Sequence, residues 1–236
     1  MIIRKPTKKD LPQMSLLWQE AFGDSREDVE NFYETAFSCD RALIGEEQKV
    51  VAGIYWIDAQ IDGQKVAYLY ALAVDAACRG RGVGKTLLNR ALETLKGEGY
   101  AGAVLVPGEE ALCAYYQKAG FATFEKAQRQ ERCAPGLPAG KASPEDYFVL
   151  RQKAKPAISW SKEAFSYLGR FCHFYAGDGW LLAVGKEGIQ EFLGDPKDLP
   201  HILYTLNIGA SREKRPAAMA CCFEPVALPD TFGPSF

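Results

Sequence analysis

The chain has no long apolar run and few residues of the kinds that bind metals. None of its 236 residues lies in an uninterrupted apolar stretch of about twenty, the length that a membrane-spanning helix needs, so no membrane span is predicted. The first residues, Met1 to Lys5, lack the apolar segment of a secretory signal and are typical of a first strand. With two histidines and no metal-ligand spacing among the seven cysteines, the sequence predicts no metal site.

The cysteines and the net charge narrow the class of protein further. The seven cysteines are scattered, and Cys221 and Cys222 are their only close pair, which favours reduced thiols in a cytoplasmic protein. A net charge of −2 argues against general binding of nucleic acid. The hydrophobic and charged fractions, 47% and 25%, are those of an ordinary globular protein with enough apolar material for one large domain or two modest ones.

The most informative stretch is a basic, glycine-rich run between an apolar strand and an amphipathic helix. Residues 68–74 are apolar enough for a buried strand, and Leu87, Leu88, Ala91 and Leu95 share one face of the following helix. Glycine permits positive φ and close approach to a ligand, so successive amides can point at one anion beside the positive end of the helix dipole. The predicted phosphate-binding loop consists of Arg79, Gly80, Arg81, Gly82, Val83, Gly84, Lys85 and Thr86.

Two common glycine motifs do not match this loop. A nucleotide P-loop needs a glycine where Arg79 stands, and the dinucleotide fingerprint needs one where Lys85 stands. No second apolar strand ending in Asp follows to supply a magnesium ligand, which disfavours a phosphotransferase. A plain basic turn between strand and helix is the alternative to a binding loop.

The motif that does match is Arg-x-x-Gly-x-Gly, from Arg79 to Gly84, at the end of a strand of the form Leu-x-Val. It resembles the acetyl-coenzyme A signature of the GNAT superfamily of N-acetyltransferases. A second landmark, Tyr-x-x-x-Gly-Phe from Tyr116 to Phe121, is similar to the segment that closes the helix after the fifth strand in that family. The predicted order of elements over residues 1–128 (strand, two helices, three-strand meander, helix, strand, helix) is also the family's order.

The resemblance implies a fold of the α/β (α+β) class, with a GNAT-type mixed, mostly antiparallel sheet flanked by helices. We assign residues 1–132 to this domain and residues 133–142 to a linker rich in proline and glycine. Residues 143–236 are then a smaller α+β domain, which begins with a helix from Pro144 to about Lys153.

The C-terminal part is predicted to repeat a fragment of the same order of elements. Ser161 caps a helix that ends before Gly177, apolar runs between Trp180 and Leu193 form a hairpin, and residues 217–223 form a last strand. The pattern resembles the degenerate second module of some two-domain members of the family, and an unrelated α+β domain is the alternative. Asp195-Pro196 opens a further helix between the hairpin and the last strand, and the two carboxylates at its start, Asp195 and Asp198, would repel a diphosphate. We expect this part to pack, to shape the acceptor cleft or to form a homodimer.

The resemblance implies transfer of an acetyl group from acetyl-coenzyme A to a primary amine of a small molecule or peptide. In the family, the loop amides hold the pyrophosphate, the backbone at the positions of Leu72, Ala73 and Val74 offers a donor to the oxyanion, and the pantetheine arm lies between the fourth and fifth strands. Tyr116 is the candidate general acid for the departing thiolate, with core packing as its alternative role. A non-catalytic acyl-coenzyme A sensor is the alternative function.

The sequence assigns no general base, and it leaves the acceptor open. The family's frequent asparagine after the fifth strand is replaced by Pro107-Gly108. The first two helices and the third and fourth strands, which should wall the acceptor pocket, are rich in aromatic residues. Most of these should be core, and any others would suit an amine with an apolar or aromatic body. The carboxylates in segments that could approach the acceptor are Glu20, Glu34, Asp58, Glu109 and Glu110.

Overall fold

The computed structural model describes residues 1–124, 140–154, 158–186, 188–209 and 216–229. In chain order their helices are α1 (Leu11–Phe22), α2 (Arg26–Thr35), α3 (Val83–Gly97), α4 (Cys113–Gln117), α5 (Pro144–Lys153), α6 (Lys162–Leu168) and α7 (Leu199–Thr205). Their strands are β1 (Ile2–Arg4), β2 (Ala42–Glu46), β3 (Val50–Ile61), β4 (Gln64–Val74), β5 (Gly102–Leu105), β6 (Ala122–Thr123), β7 (Gly140–Ala142), β8 (Ile158–Trp160), β9 (His173–Gly177), β10 (Trp180–Gly185), β11 (Gly188–Leu193) and β12 (Met219–Cys222).

Two sheets form from these strands. The larger sheet has eight strands in the described residues, in the order β1-β2-β3-β4-β5-β12-β6, with β8 paired to the far end of β3. Its neighbours are antiparallel except for β4 and β5, which are parallel. The smaller sheet has four strands in the order β11-β10-β9-β7. The predicted class, a mixed and mostly antiparallel sheet flanked by helices with a smaller α+β part, is therefore confirmed.

Different helices cover the two faces of the larger sheet. Along β3, Ile54 and Trp56 belong to the core that includes Leu87 of α3, whereas Tyr55 and Ile57 belong to the core formed with α1 and α2. This alternation follows the two-residue period of a strand. The core beside α1 and α2 also contains buried side chains of α5 and α6. The C-terminal part therefore packs on the same face as the first two helices.

Short-range signals in the N-terminal half produce the predicted turns and caps. Ser25 and Asp28 form a capping box at the start of α2, and Gly23 ends α1 in the left-handed conformation with φ of 77°. Asp62 and Gly63 join β3 to β4 with φ of 50° and 74°, as a two-residue hairpin turn requires. These predictions are confirmed because each depends on residues that are adjacent in the sequence.

The predicted helix from Ser161 to just before Gly177 is wrong in its second half. The helix, α6, stops at Leu168, and the chain returns as strand β9. Within β9, Phe174 and Ala176 are buried on one face of the smaller sheet, which is the alternation of a strand. The run of apolar residues in this segment therefore has a strand's period where a helix was predicted.

Two strands of the C-terminal part join the larger sheet. The predicted last strand exists as β12, but it pairs with β5 and β6 rather than with the smaller sheet. Strand β8, which the sequence did not predict, pairs with residues 59–61 of β3. Residues 140–142, which were predicted as part of the linker, form β7. The rest of the predicted linker, residues 133–139, lies outside the described residues, and so do residues 125–132 at the end of the predicted first domain. Among the described residues, no helix has the length and apolar character that crossing a bilayer requires.

Candidate functional site

A gap between the two parallel strands of the larger sheet forms the centre of the site. Strands β4 and β5 pair over only three positions, from Val66 opposite Gly102 to Tyr68 opposite Val104. Beyond Tyr68, the β5-facing edge of β4 pairs with no other strand of the described residues. The backbone of residues 69–74 is therefore available to a ligand on that edge.

A bulge in β4 lies beside this gap. Residues Ile54 and Tyr55 of β3 are opposite Leu72 and Tyr70, so Ala71 is an extra residue on β4. Ala71 has φ of 54°, a left-handed conformation that is uncommon for a residue other than glycine. A bulge bends the strand locally and interrupts its regular pairing, and this one lies in the part of β4 that borders the gap.

Two neighbouring cavities open along the gap. The smaller cavity has a volume of about 410 Å³ and lies between Trp18, Tyr70, Leu105 and the other residues that line it. The larger cavity has a volume of about 780 Å³ and extends from Leu72 and Val74 to the glycine-rich loop. Both cavities are lined by Phe22, Leu72, Gly108, Leu112 and Tyr116. They therefore form a continuous groove from the loop to the aromatic residues of α1 and β4.

The glycine-rich loop presents amides without acceptors in the described part of the chain. The amides of Cys78 and Arg79 donate to carbonyls of the preceding turn, and the amide of Thr86 donates to Gly82 O at 3.0 Å. None of the described backbone hydrogen bonds is donated by residues 80–85. Gly80 and Gly82 have φ of 75° and 78°, and Gly82 is the N-cap of α3. This combination of consecutive amides and a helix N-terminus is suited to an anion.

Two basic side chains stand beside these amides. Arg79 Nε donates to Val74 O at 3.1 Å, which ties the loop to the end of β4. Arg79 and Lys85 both line the larger cavity, and neither has a carboxylate partner among the described residues. Arg81 is different, because it points to Glu47 at 3.3 Å and lines neither cavity.

Most of the predicted cofactor-binding residues come together at the larger cavity. Ala73, Arg81 and Thr86 are exceptions. The Ala73 side chain is buried in the core beside α1 and α2, Arg81 pairs with Glu47, and the Thr86 hydroxyl donates to Gly82 O. The predicted residues that line the larger cavity are Leu72, Val74, Arg79, Gly80, Gly82, Val83, Gly84, Lys85 and Tyr116.

Tyr116 stands where the two cavities meet. Its side chain packs against Tyr115 and Phe121, with ring centroids at 5.1 Å and 5.8 Å, and its hydroxyl has no hydrogen-bond partner among the described residues. Burial, with a smaller contribution from Tyr115, raises the pKa of Tyr116 to about 12. The phenol therefore keeps its proton at neutral pH and can donate it.

One carboxylate that the sequence analysis missed lines the smaller cavity. Asp24 follows Gly23, the residue that ends α1, and Trp18 Nε1 donates to Asp24 Oδ2 at 2.7 Å. Tyr70 is close to the same indole, with ring centroids at 5.6 Å. A carboxylate directly after a helix-ending glycine, six residues beyond a tryptophan, is the only sequence signal that could have indicated it.

The five carboxylates considered as bases do not gather in one place. Glu109 lines the larger cavity and is the only one of the five that lines either cavity. Asp58 lies elsewhere on the sheet, where Tyr100 donates to it, and Glu34 pairs with Arg170 at 3.6 Å.

Gly108 lines both cavities without a side chain of its own, so the groove stays open after β5. Among the described residues, no three His, Cys, Asp or Glu side chains are grouped so that they could hold a metal ion.

Comparison with known proteins relates this groove to an enzyme family. Residues 11–121 match the model of the Acetyltransferase (GNAT) family. These residues contain the glycine-rich loop, the gap between β4 and β5 and Tyr116. A comparison with curated protein sequences gives no match.

Solved structures with the same fold cover both halves of the chain. A GCN5-related N-acetyltransferase from Kribbella flavida has a TM-score of 0.65 at 15% identity, over 93% of this chain and 70% of its own. A GCN5-related N-acetyltransferase from Anabaena variabilis has a TM-score of 0.63 at 15% identity, over 93% of this chain and 72% of its own. Eis1 from Mycobacterium abscessus has a TM-score of 0.66 at 13% identity, over 94% and 74%. At these identities the likeness is one of fold.

Proposed function

Because residues 11–121 form a domain of the acetyltransferase (GNAT) family, we propose that the protein transfers an acetyl group from acetyl-coenzyme A to a primary amine. One observation carries the proposal: a run of amides without acceptors in the described part of the chain, residues 80–85, opens on a groove that passes a protonated phenol, Tyr116. The amides suit the pyrophosphate of coenzyme A, and the phenol suits its departing thiolate.

The pyrophosphate would bind at the N-terminus of α3. Consecutive amides and the positive end of the helix dipole favour a doubly charged anion there, and Arg79 and Lys85 add two positive charges at the rim of the same cavity. Gly84 brings the helix close to the groove, because a Cβ at this position would lie 3.2 Å from Tyr115 Oη and 3.3 Å from Val74 Cγ2. The close fit leaves little room for a side chain where the cofactor passes.

The pantetheine arm would follow the unpaired edge of β4. Its amide groups can pair with the backbone of residues 69–74 on the edge that faces β5, where these residues have no strand partner in the described part of the chain. This path leads from the loop through the larger cavity to the point where Tyr116 also lines the smaller cavity. The thioester would then lie between the phenol and the acceptor.

The reaction joins the amine nitrogen to the thioester carbonyl carbon. The acceptor first loses a proton from its ammonium form to solvent, because the nitrogen lone pair must be available for attack. The tetrahedral intermediate breaks its carbon–sulfur bond, and the sulfur leaves with the bonding electron pair. Tyr116 donates its proton to that sulfur, and the nitrogen gives up one proton as the amide forms, which restores the phenol through solvent. The products are an N-acetyl amine and coenzyme A with a free thiol.

The test is release of free thiol from acetyl-coenzyme A by purified protein across a panel of monoamines, polyamines, aminoglycosides and peptides. Amine-dependent thiol release, with the N-acetyl product identified by mass spectrometry, supports the proposal. Tight binding of acetyl-coenzyme A without thiol release for any amine contradicts it, and favours the sensor function instead. Hydrolysis at a rate that no amine changes contradicts it in a different way.

A further inference from the structure

The smaller cavity has an unusual balance of charge and aromatic surface. Of the described residues that line it, Asp24 alone is charged, and five others are aromatic: Trp18, Phe22, Tyr68, Tyr70 and Tyr116. Asp24 and Phe22 are exposed, so the carboxylate stands at the solvent side of an otherwise aromatic and aliphatic lining. A single carboxylate in this position is complementary to a single positive charge on an apolar body. The residues that line the smaller cavity therefore indicate which class of acceptor it could bind.

The position of the Asp24 carboxylate is fixed by its neighbours. Trp18, which is 2% exposed, donates its indole N–H to Asp24 Oδ2 at 2.7 Å. The same indole packs against Phe22 at 6.0 Å and Tyr70 at 5.6 Å between ring centroids. One carboxylate oxygen is thus engaged by a rigid, buried donor, which leaves the other oxygen for a ligand. Gly23, with φ of 77°, makes the turn that brings Asp24 beside the cavity.

We propose that the acceptor is a small monoamine with an aromatic or branched apolar body, and that Asp24 binds its ammonium group. The inference rests on the proposed function and names the acceptor class for it. A polycation would bring further ammonium groups to a lining that has, among the described residues, no second carboxylate to pair with them. A volume of about 410 Å³, part of which the acetyl group must occupy, also favours a compact acceptor. Asp24 acts here in binding: it pairs with the ammonium form of the arriving acceptor, and the same nitrogen gives up a proton to solvent before it attacks the thioester.

The experiment compares three small molecules and three proteins. The probes are 2-phenylethylamine, its neutral analogue 2-phenylethanol, and the polycation spermidine. The proteins are the wild type, Asp24→Asn and the control Glu27→Gln, which neutralises an exposed carboxylate on the neighbouring α2 that lines neither cavity. Asparagine keeps an acceptor oxygen for the indole of Trp18, so the substitution removes the charge and preserves the local hydrogen bond.

We expect Asp24→Asn to raise KM for 2-phenylethylamine by about ten- to a hundredfold, the value of a hydrogen bond to a charged group. Its KM for acetyl-coenzyme A should stay that of the wild type, and Glu27→Gln should match the wild type throughout. An unchanged amine KM in Asp24→Asn would overturn the inference. A higher kcat/KM for spermidine than for 2-phenylethylamine would also overturn it.

A binding measurement separates this inference from the proposed function. Each probe is titrated into protein saturated with coenzyme A, and quenching of tryptophan fluorescence is followed, since Trp18 lines the cavity. If the wild type releases no thiol with any amine, the proposed function fails, but tighter binding of 2-phenylethylamine than of 2-phenylethanol, lost in Asp24→Asn, still supports the assignment of the cation site. Equal binding of the amine and the alcohol by the wild type contradicts it.

Discussion

The hydroxyl oxygens of Tyr70 and Tyr167 lie 2.9 Å apart, although the two residues are 97 positions apart in the chain. Tyr70 lines the smaller cavity, and Tyr167 belongs to α6 of the C-terminal part. Their rings make edge contact, with centroids at 5.9 Å, and Phe32 of α2 packs against both. The C-terminal part thus contacts the lining of the smaller cavity, the proposed acceptor site, through this pair of phenols and through Trp160, whose ring lies 5.2 Å from that of Tyr68.

This contact predicts that Tyr167→Phe impairs binding of the acceptor without impairing binding of the cofactor. Loss of the hydrogen bond should lower the free energy of unfolding by about 1 kcal/mol, measured by urea denaturation. Because Tyr70 then loses the group that orients it, KM for the amine should rise several-fold while KM for acetyl-coenzyme A stays constant. The control is Tyr204→Phe, at a side chain that is 85% exposed. An equal rise in both KM values would show a general loss of structure instead.

The proton on Tyr116 gives a prediction for rate and pH together. Tyr116→Phe removes the donor and should lower kcat by about a hundredfold or more, the usual value of general acid catalysis, with little change in the Kd of coenzyme A. Since burial raises the pKa of Tyr116 to about 12, the acid form persists through the alkaline range. The wild-type kcat should therefore not decline between about pH 8 and pH 10, where an unperturbed tyrosine with a pKa near 10 would begin to ionise.

Two outcomes of the pH and rate measurements would contradict that role. A wild-type kcat in Tyr116→Phe would remove the phenol from the mechanism. A decline in wild-type kcat with a midpoint near pH 10 that disappears in Tyr116→Phe would mean that the phenol ionises at its ordinary pKa despite its burial.

The glycine at the N-cap of α3 gives a prediction with a matched control. Gly82→Ala introduces a Cβ at φ of 78°, which strains the loop by about 1–2 kcal/mol and should turn its amides away from the anion. We expect the Kd of coenzyme A to rise about tenfold or more by calorimetry. Gly99→Ala has nearly the same φ, 77°, beyond the other end of α3 and outside both cavities. Gly99→Ala should lower the free energy of unfolding as much as Gly82→Ala does, while its Kd for coenzyme A stays that of the wild type. If Gly99→Ala raised the Kd of coenzyme A as much as Gly82→Ala, the proposed role of the loop would be contradicted.

The bulge in β4 gives a prediction for stability. Ala71 has φ of 54°, where glycine has no steric penalty, so Ala71→Gly should raise the free energy of unfolding, by about 1 kcal/mol at most. Ala67→Gly, in the regular and buried part of the same strand, should lower it. Urea denaturation of both variants checks the opposite signs. A loss of stability in Ala71→Gly as large as that in Ala67→Gly would contradict the strain argument.

The sequence predicts the parts of the site that are built from consecutive residues. The loop, the helix after it and the hairpin turn at Asp62 and Gly63 depend on local conformational preference, and a single stretch of sequence records each of them. The amides of residues 80–85 needed no distant partner to be recognised. For the same reason the capping box of Ser25 and Asp28 was predictable.

The features that the sequence did not reveal depend on distant partners. Strand β12 is four residues long, and nothing in Met219–Cys222 indicates that it pairs with β5 of the larger sheet rather than with its neighbours in the chain. Asp24 stays exposed in the structure, and only the folding together of α1 and β4 places it beside the indole of Trp18 and the smaller cavity. That the C-terminal part is a degenerate module of the same family stays a prediction.

The account depends most on the claim that the amides of the glycine-rich loop bind the pyrophosphate of coenzyme A. The direct measurement is a proton–nitrogen NMR titration that follows the amides of Gly80, Gly82 and Gly84 with coenzyme A and, separately, with pantetheine, which lacks the diphosphate. We predict large shifts of these amides with coenzyme A and much smaller ones with pantetheine. No shift with coenzyme A, or equal shifts with both molecules, would contradict the claim.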